Sequence, residues 1–434
     1  MNMILLLIGF VGLLAVGAPI VVAMGLPAII YYIVSGTSLS LVAYSFYQST
    51  MSFSLLAVPA FILMGNLVSE LGETARAFDF ARALAKGKRG YSSRIAVVLS
   101  LIFAGMSGAA IAGVCGLGPI FVDSMEEEGY ERDYGAALTI AASTVGPIFP
   151  PSIPLVLYAT IAQISSVKSL LGGVGPGILM SAMLLFYVLL VDKKKLVNPP
   201  MAKAMMKEER SIRELFFRAL PIAIAPLLIL ITMLSGIFSP GETGGMAVLY
   251  MLLLGICHRS LTWSGFWRCV KETCKSVSSI MVIMTAGGIF TKALMLENLP
   301  AKIIALLGPV ANIPLAVILI VNIILLIMGM FMESNCALIL TAPIVLQITQ
   351  GFGMDPVYIG VMMVMNLMIG LSTPPFGLCI YAVSRVANVP SEKVIKSVVP
   401  MYIPLGIALI LTSLIPAVST FVPNTICLLY TSDA

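Results

Sequence analysis

No lysine or arginine occurs before Arg76, and the chain is apolar from Met3 to Val34. Further apolar runs follow near 52–69, 95–125, 134–162, 170–191, 216–238, 244–257, 277–296, 303–349, 357–383 and 397–422. A bilayer-spanning helix needs about 20 such residues. Only 10% of the 434 residues are charged and 59% are apolar, where a soluble domain carries about 25% charged. So few charges cannot coat a water-facing surface. The chain therefore reads as an all-α polytopic membrane protein, which excludes a soluble enzyme, a nucleic-acid binder and a secreted disulfide scaffold. A cleaved signal peptide needs a basic leading segment. Residues 3–34 lack one and read as two retained helices broken near Gly17-Ala18-Pro19.

Other chemistries are poorly supplied. His258 is the single histidine, so His-rich metal clusters and multi-histidine relays are excluded. The seven cysteines form no C-x-x-C pair. Most lie in apolar runs, where cysteine acts as a small hydrophobe, and Cys269 and Cys274 flank what reads as a basic loop. No G-x-x-x-x-G-K-[ST] is present, so this chain does not bind ATP through a Walker loop.

Lysine and arginine mark the cytoplasmic side of membrane proteins. Here they cluster at 76–94, at Arg132, at 193–218, at 259–275 and at 385–396. If all of these are cytoplasmic, 22 of 25 basic residues lie inside, and only Lys168, Lys292 and Lys302 lie outside. Residues 95–125 must then enter and leave on one side as a re-entrant hairpin. Residues 303–349 form a second hairpin from the opposite side.

The chain also repeats itself. At a shift of 224 residues Gly105 meets Gly329, Gly129 meets Gly353, Tyr134 meets Tyr358 and Gly146 meets Gly370. Pro119 likewise meets Pro343, Pro150-Pro151 meets Pro374-Pro375, and Pro176 meets Pro400. The matches are chiefly glycine and proline, which set backbone shape. With the first copy starting inside and the second outside, the fold is expected to be an inverted-topology repeat, a secondary-transporter architecture.

Each copy pairs a glycine-bearing hairpin tip (Gly105, Gly329) with an interrupted helix. The interruptions are Gly146-Pro147-Ile148-Phe149-Pro150-Pro151-Ser152 and Gly370-Leu371-Ser372-Thr373-Pro374-Pro375-Phe376. Two prolines remove two N–H donors and stop a continuous helix. Carbonyls freed there are costly in hydrocarbon unless something binds them. A cation accepts carbonyl ligands, and half-helix N-termini favour an anion. Each break facing its tip is thus a candidate ion and substrate site. Ser107 and Gly108 lie in the first tip, with Ser143 and Ser152 near its break. Glu333 and Asn335 lie in the second tip, with Asn366 and Thr373 near its break. Glu333 is the one acidic residue this topology places deep in the membrane, which reads either as a functional group or as a carboxyl bonded to hairpin backbone. Glu126-Glu127-Glu128, with Glu131 and Asp133, reads as a solvated loop.

These signals divide the chain into scaffold helices at 1–51, a first repeat at 52–191, a linker with scaffold helices at 192–276, a second repeat at 277–423 and an uninformative tail at 424–434. Residues 70–94 and 297–308 read as interfacial brace helices.

Taken together, the segments SFSLLAVPAFILMGNL (52–67), GMSGAAIAGVCGLGPI (105–120), GPIFPPSIPLVLYA (146–159), SPGETGG (239–245), GMFMESNCALILTAPI (329–344) and NLMIGLSTPPFGL (366–378) give the chain a resemblance. It resembles the large membrane subunit (DctM-like, M subunit) of the tripartite ATP-independent periplasmic (TRAP) transporters, over residues 1–423. The resemblance implies a Na⁺-driven, elevator-type importer of an organic acid in a bacterial or archaeal inner membrane. Its partners would be a small four-helix membrane subunit, not fused here, and a periplasmic substrate-binding protein. It implies two Na⁺ sites, one using Gly105, Ser107, Gly146, Phe149 and Ser152, the other Gly329, Gly370, Thr373 and Phe376. Gly108, Ser143, Glu333, Asn335 and Asn366 would serve substrate or coupling. The family's first tip commonly reads G-x-S-G-S-A, whereas Ala109 and Ala110 follow Gly108 here. A single-subunit Na⁺/carboxylate symporter, an ion channel and an intramembrane hydrolase are the competing readings; no G-x-S-x-G supports the last.

Overall fold

The computed structural model describes residues 2–85, 90–104, 110–196, 211–235, 237–307 and 313–431. Helices account for the secondary structure among these residues, and none forms a named strand. Seven segments are long and apolar enough to cross a membrane by length and composition.

The first helices are α1 (Asn2–Ala15), α2 (Ile20–Val34) and α3 (Ser40–Thr50). The α1–α2 junction falls at the expected Gly17-Ala18-Pro19. The sequence reading missed α3, whose SLVAYSFYQST is too polar for an apolar run. After a 3₁₀ turn come α4 (Ala57–Glu70) and the brace α5 (Glu73–Ala85). The first hairpin has arms α6 (Tyr91–Leu99), extended by a π turn at Ser100–Ala104, and α7 (Ala110–Glu128). The interrupted helix follows as α8 (Arg132–Ser143), a 3₁₀ turn at Gly146–Ile148 and α9 (Ile153–Ala162). Then come α10 (Ser166–Gly172) and α11 (Val174–Lys195).

Scaffold helices α12 (Ile212–Leu234) and α13 (Pro240–Cys257) lead to α14 (Trp263–Leu296). A capping box starts α13: the Ser239 hydroxyl accepts from Glu242 N–H, while the Glu242 carboxylate accepts from Ser239 N–H. At 34 residues, α14 is about 51 Å long at 1.5 Å per residue, well beyond a hydrocarbon core of about 30 Å. The expected basic loop around Cys269 and Cys274 is therefore the first part of this helix.

The second copy comprises brace α15 (Leu299–Leu307), hairpin arms α16 (Pro314–Phe331) and α17 (Ser334–Gln350), and interrupted helix α18 (Pro356–Leu371) with α19 (Leu378–Ala387). It closes with α20 (Ser391–Val398) and α21 (Tyr402–Leu414). The hairpin thus begins at 314 rather than 303. The final helix α22 (Ala417–Thr431) runs through most of the stretch read as an uninformative tail.

The copies align element by element. Helices α7 and α17 begin at 110 and 334, and α8 and α18 at 132 and 356, each pair 224 apart. Both half-helices end on a left-handed residue, Gln163 and Asn388, each at φ 53°. Pro150–Pro151 and Pro374–Pro375 are both cis. Contacts between copies are reciprocal: α9 packs on α17 while α19 packs on α7, and α10 packs on α18 while α20 packs on α8. A reciprocal interface requires a pseudo-two-fold axis.

The interrupted helices form the centre of the core. Every residue from Tyr134 to Ser143 and from Val357 to Leu371 is buried, as expected of helices apolar on all faces. A second core joins α1, α2 and α14 through Phe10, Met24, Tyr32 and Phe290. Leu227, Ile231, Ile323, Ile327 and Phe421 are exposed on the outer helices, where acyl chains rather than water would meet them. The fold is an all-α polytopic membrane protein with an inverted repeat, two hairpins and two interrupted helices.

Candidate functional site

Each break is built by its prolines and closed by local hydrogen bonds. At the first, Val145 and Gly146 carbonyls accept from Phe149 N–H, and the Ser152 hydroxyl donates to the Pro147 carbonyl. The same hydroxyl accepts from Leu155 N–H at 3.2 Å and caps α9. At the second, Gly370 O accepts from Thr373 N–H at 2.8 Å, and the Thr373 hydroxyl donates to Ile369 O at 2.7 Å. Tyr402 donates to Ser372 O. Several break carbonyls are therefore less free than the sequence alone suggested. A carbonyl oxygen has two lone pairs, so one hydrogen bond leaves room for a further ligand.

The second hairpin meets its break at bare backbone. A Cβ on Gly370 would lie 2.8 Å from Gly329 Cα and 3.0 Å from Leu326 O, and one on Gly329 would lie 3.0 Å from Leu367 O. Only glycine permits this approach. Gly329 occupies the last turn of α16, while the tip itself is Met332-Glu333. Across the tip the Phe331 and Phe376 rings lie 5.4 Å apart. The structure thus brings Gly329, Gly370, Thr373 and Phe376 into one region.

At the first break, Gly146 and Ser152 are buried and Phe149 is half-buried. The π turn at Ser100–Ala104 packs against the Gly146–Ile148 turn. Gly105, Ser107 and Gly108 lie outside the described residues. Buried Ser143 sits one turn before Gly146, and its hydroxyl has no hydrogen-bond partner among the described residues.

Glu333 adopts the backbone-bonded arrangement. Its carboxylate caps α17, accepting from Asn335 N–H at 3.0 Å and Cys336 N–H at 3.2 Å. It also accepts from the Ser334 hydroxyl and, at 2.9 Å, from the Asn335 side-chain amide. Asn366 donates to the Asn322 carbonyl and side-chain oxygen at 2.9 and 2.7 Å. The side-chain oxygens of Asn335 and Asn366 are buried without partners among the described residues. Carbonyls, hydroxyls and amide oxygens are hard neutral donors, the type that suits an alkali or other hard cation. No cluster of three or more His, Cys, Asp or Glu able to hold a metal occurs among the described residues.

Asn322 and Ser413 were not singled out in the sequence. The Asn322 side-chain amide donates to the Ser413 hydroxyl at 3.3 Å, and with its bonds to Asn366 ties α16, α18 and α21 together. The available signal was an amide alone in the apolar run PLAVILIVNIILLIMGMF. The reading of Glu126-Glu127-Glu128 as a solvated loop is also corrected. Glu126 and Glu127 pair with Arg132 and Arg82, and Glu128 is buried at 3% exposure. Glu128 accepts backbone N–H bonds from Gly90, Tyr91 and Ser92, capping α6. Beside it Asp192 accepts from Ser93, Arg94 and Tyr130, the last at 2.6 Å. Burial, reinforced by the Asp192 hydrogen bond, pushes the Tyr130 phenol well above its ordinary pKa. This polar cluster pins both feet of the first hairpin to the end of α11.

Comparison with known proteins identifies the family. The profile of the tripartite ATP-independent periplasmic transporter DctM component matches residues 7–418. The sialic acid TRAP transporter large permease protein SiaM of Vibrio cholerae is 33% identical over 419 residues, covering 96% of this chain and 97% of that protein. The C4-dicarboxylate TRAP transporter large permease protein DctM of Pseudomonas aeruginosa is 32% identical, covering 90% and 91%. Of two longer permeases the chain spans 60% and 64%. The fold is also similar to the crystal structure of the YdaH transporter of Alcanivorax borkumensis, at TM-score 0.63 and 15% identity, covering 87% of this chain and 88% of that one. With the family profile matched along nearly its whole length and its permease relatives being transporters rather than enzymes, the chain belongs to the DctM family of TRAP transporter large permeases.

Proposed function

We propose that this chain is the large membrane subunit of a TRAP transporter and takes up an organic acid by Na⁺ symport. Basic residues would face the cytoplasm of a bacterial or archaeal inner membrane, and the second hairpin would enter from the periplasm. A small four-helix membrane subunit and a periplasmic binding protein that delivers the acid would complete it. One Na⁺ would be held at Gly146, Phe149 and Ser152, with Gly105 and Ser107 of the first tip. The other would be held at Gly329, Gly370, Thr373 and Phe376. Na⁺ supplies positive charge that ties hairpin to break and offsets an anionic cargo. Gly108, Ser143, Glu333, Asn335 and Asn366 would shape the cargo side, with hairpins and interrupted helices moving as a unit against the scaffold in an elevator-type step.

The supporting observation is the Gly329–Gly370 contact, at which backbone oxygens of the second hairpin and of its break lie side by side. The test is uptake in proteoliposomes carrying both partner proteins, with N-acetylneuraminate and succinate as trial cargoes. Thr373→Val removes one oxygen ligand, worth about 1–3 kcal/mol. The Na⁺ concentration for half-maximal uptake should rise about 5- to 150-fold, and Thr373→Ser should restore it. Ser152→Ala is a less specific probe, because Ser152 also caps α9. Unchanged Na⁺ dependence in Thr373→Val contradicts the sodium assignment. Uptake by the chain without partners would favour a single-subunit symporter.

A further inference from the structure

On the half of the molecule that the basic-residue pattern turns outward, four helices leave a cavity of ≈ 230 Å³. Gln48 and Ser49 come from α3, Thr160 and Gln163 from α9 and its cap, and Thr291 and Lys292 from α14, while α17 completes the wall. Polar groups on a surface turned to acyl chains would be costly, so this lining reads as a wet chamber. Gly287 and Gly288 also line it. A Cβ on Gly287 would lie 2.5 Å from Ile339, and one on Gly288 2.8 Å from Ser49. The bare glycines let α14 close on α17 and on α3 beside the cavity.

Its charge is one-signed. Lys292 is the only charged residue in the lining, and none of the ion pairs among the described residues includes it. It is also one of the three basic residues on the outward side. The amides of Gln48 and Gln163 and the hydroxyls around them can both donate and accept. The cavity is separate from the breaks yet connected to them through two helices. Gln163 lies about 16 Å along α9 from Ser152 at 1.5 Å per residue, and α17 starts at the Glu333 cap.

We propose that this cavity is an outer anion-binding site, which holds a small organic acid by its carboxylate on Lys292 before the acid reaches the breaks. The choice of ligand rests on the uptake reading above. Lysine supplies a point charge rather than a bidentate fork, so Gln48 and Gln163 would discriminate among acids through their hydroxyl and amide groups.

The test places Gln163→Cys in the full chain with its native cysteines replaced, reconstituted in neutral phosphatidylcholine. Reaction with an anionic and a cationic methanethiosulfonate reagent is measured relative to a free thiol. The anionic reagent should be favoured about fivefold by the local positive charge, and Lys292→Gln should remove the preference. Millimolar succinate or N-acetylneuraminate should slow labelling where matched chloride does not. Thr160→Cys provides the same readout if Gln163→Cys fails to fold. An absent preference, or protection by neither acid, overturns the proposal. So does a preference that appears only when phosphatidylglycerol is added, since a lipid headgroup would then be the ligand. Na⁺-dependent uptake by the cysteine-free chain that keeps Gln163 and Lys292, measured with both partners, separates the outcomes. Uptake without the charge preference rejects this site alone, and the preference without uptake rejects the transport reading.

Discussion

Gly370→Ala is expected to cut uptake about 5- to 150-fold while most of the chain stays folded. The added Cβ would stand 2.8 Å from Gly329 Cα and 3.0 Å from Leu326 O. Both are backbone atoms, so no side-chain rotation relieves the clash, and α16 must retreat from α18. Overpacking of this kind costs about 1–3 kcal/mol, or about 5- to 150-fold in occupancy of the closed contact. Gly406→Ala is the matched control, because a Cβ there meets nothing within 4 Å. The variants are compared by initial uptake rate and by thermal unfolding in detergent. Wild-type uptake in Gly370→Ala would show that the working state does not use this contact.

The second large effect belongs to Glu128→Gln. The carboxylate is 3% exposed and caps α6 through Gly90, Tyr91 and Ser92. Glutamine keeps one acceptor oxygen and turns an N–H₂ group toward a backbone donor. Charge-assisted hydrogen bonds contribute about 1.5–3 kcal/mol each, so the loss should be about 3 kcal/mol of stability, seen as reduced yield and a lower melting temperature. Lys302 and Glu297 form a more open pair at 3.2 Å, with side chains 50% and 22% exposed. Partly exposed pairs of this kind contribute about 0–1 kcal/mol, so Lys302→Gln should be nearly silent. Equal effects of the two variants would contradict the capping role.

The two breaks and the repeat were legible because proline and glycine leave marks that no packing can hide. Pro150-Pro151 and Pro374-Pro375 stop helices in any context, and the 224-residue spacing carried over into the helix starts at 110/334 and 132/356. Boundaries set by something other than hydropathy were not legible. No charge separates Ile303 from the hairpin arm, so the apolar reading merged α15 with α16. Arg268, Lys271 and Lys275 looked like a loop because hydropathy sees only the membrane-embedded part of α14. Glu128 was misread because its partners lie 36–38 residues away; sequence neighbours alone make it look solvated. At the site, Gly329 and Gly370 were paired correctly as residues, but the contact lies one turn before the tip. Asn322 escaped because its partners Asn366 and Ser413 are distant in the chain.

An inverted repeat turns its two equivalent units to opposite sides of one membrane. Glu131 and Gln350 are exposed residues following the first hairpin and ending the second. The decisive measurement is side-specific labelling of Glu131→Cys and Gln350→Cys, one at a time, in intact cells and in inverted vesicles of a cysteine-free background. The account predicts that a membrane-impermeant maleimide reaches Gln350→Cys only from outside and Glu131→Cys only from inside. Labelling of both positions from the same side would contradict the inverted repeat.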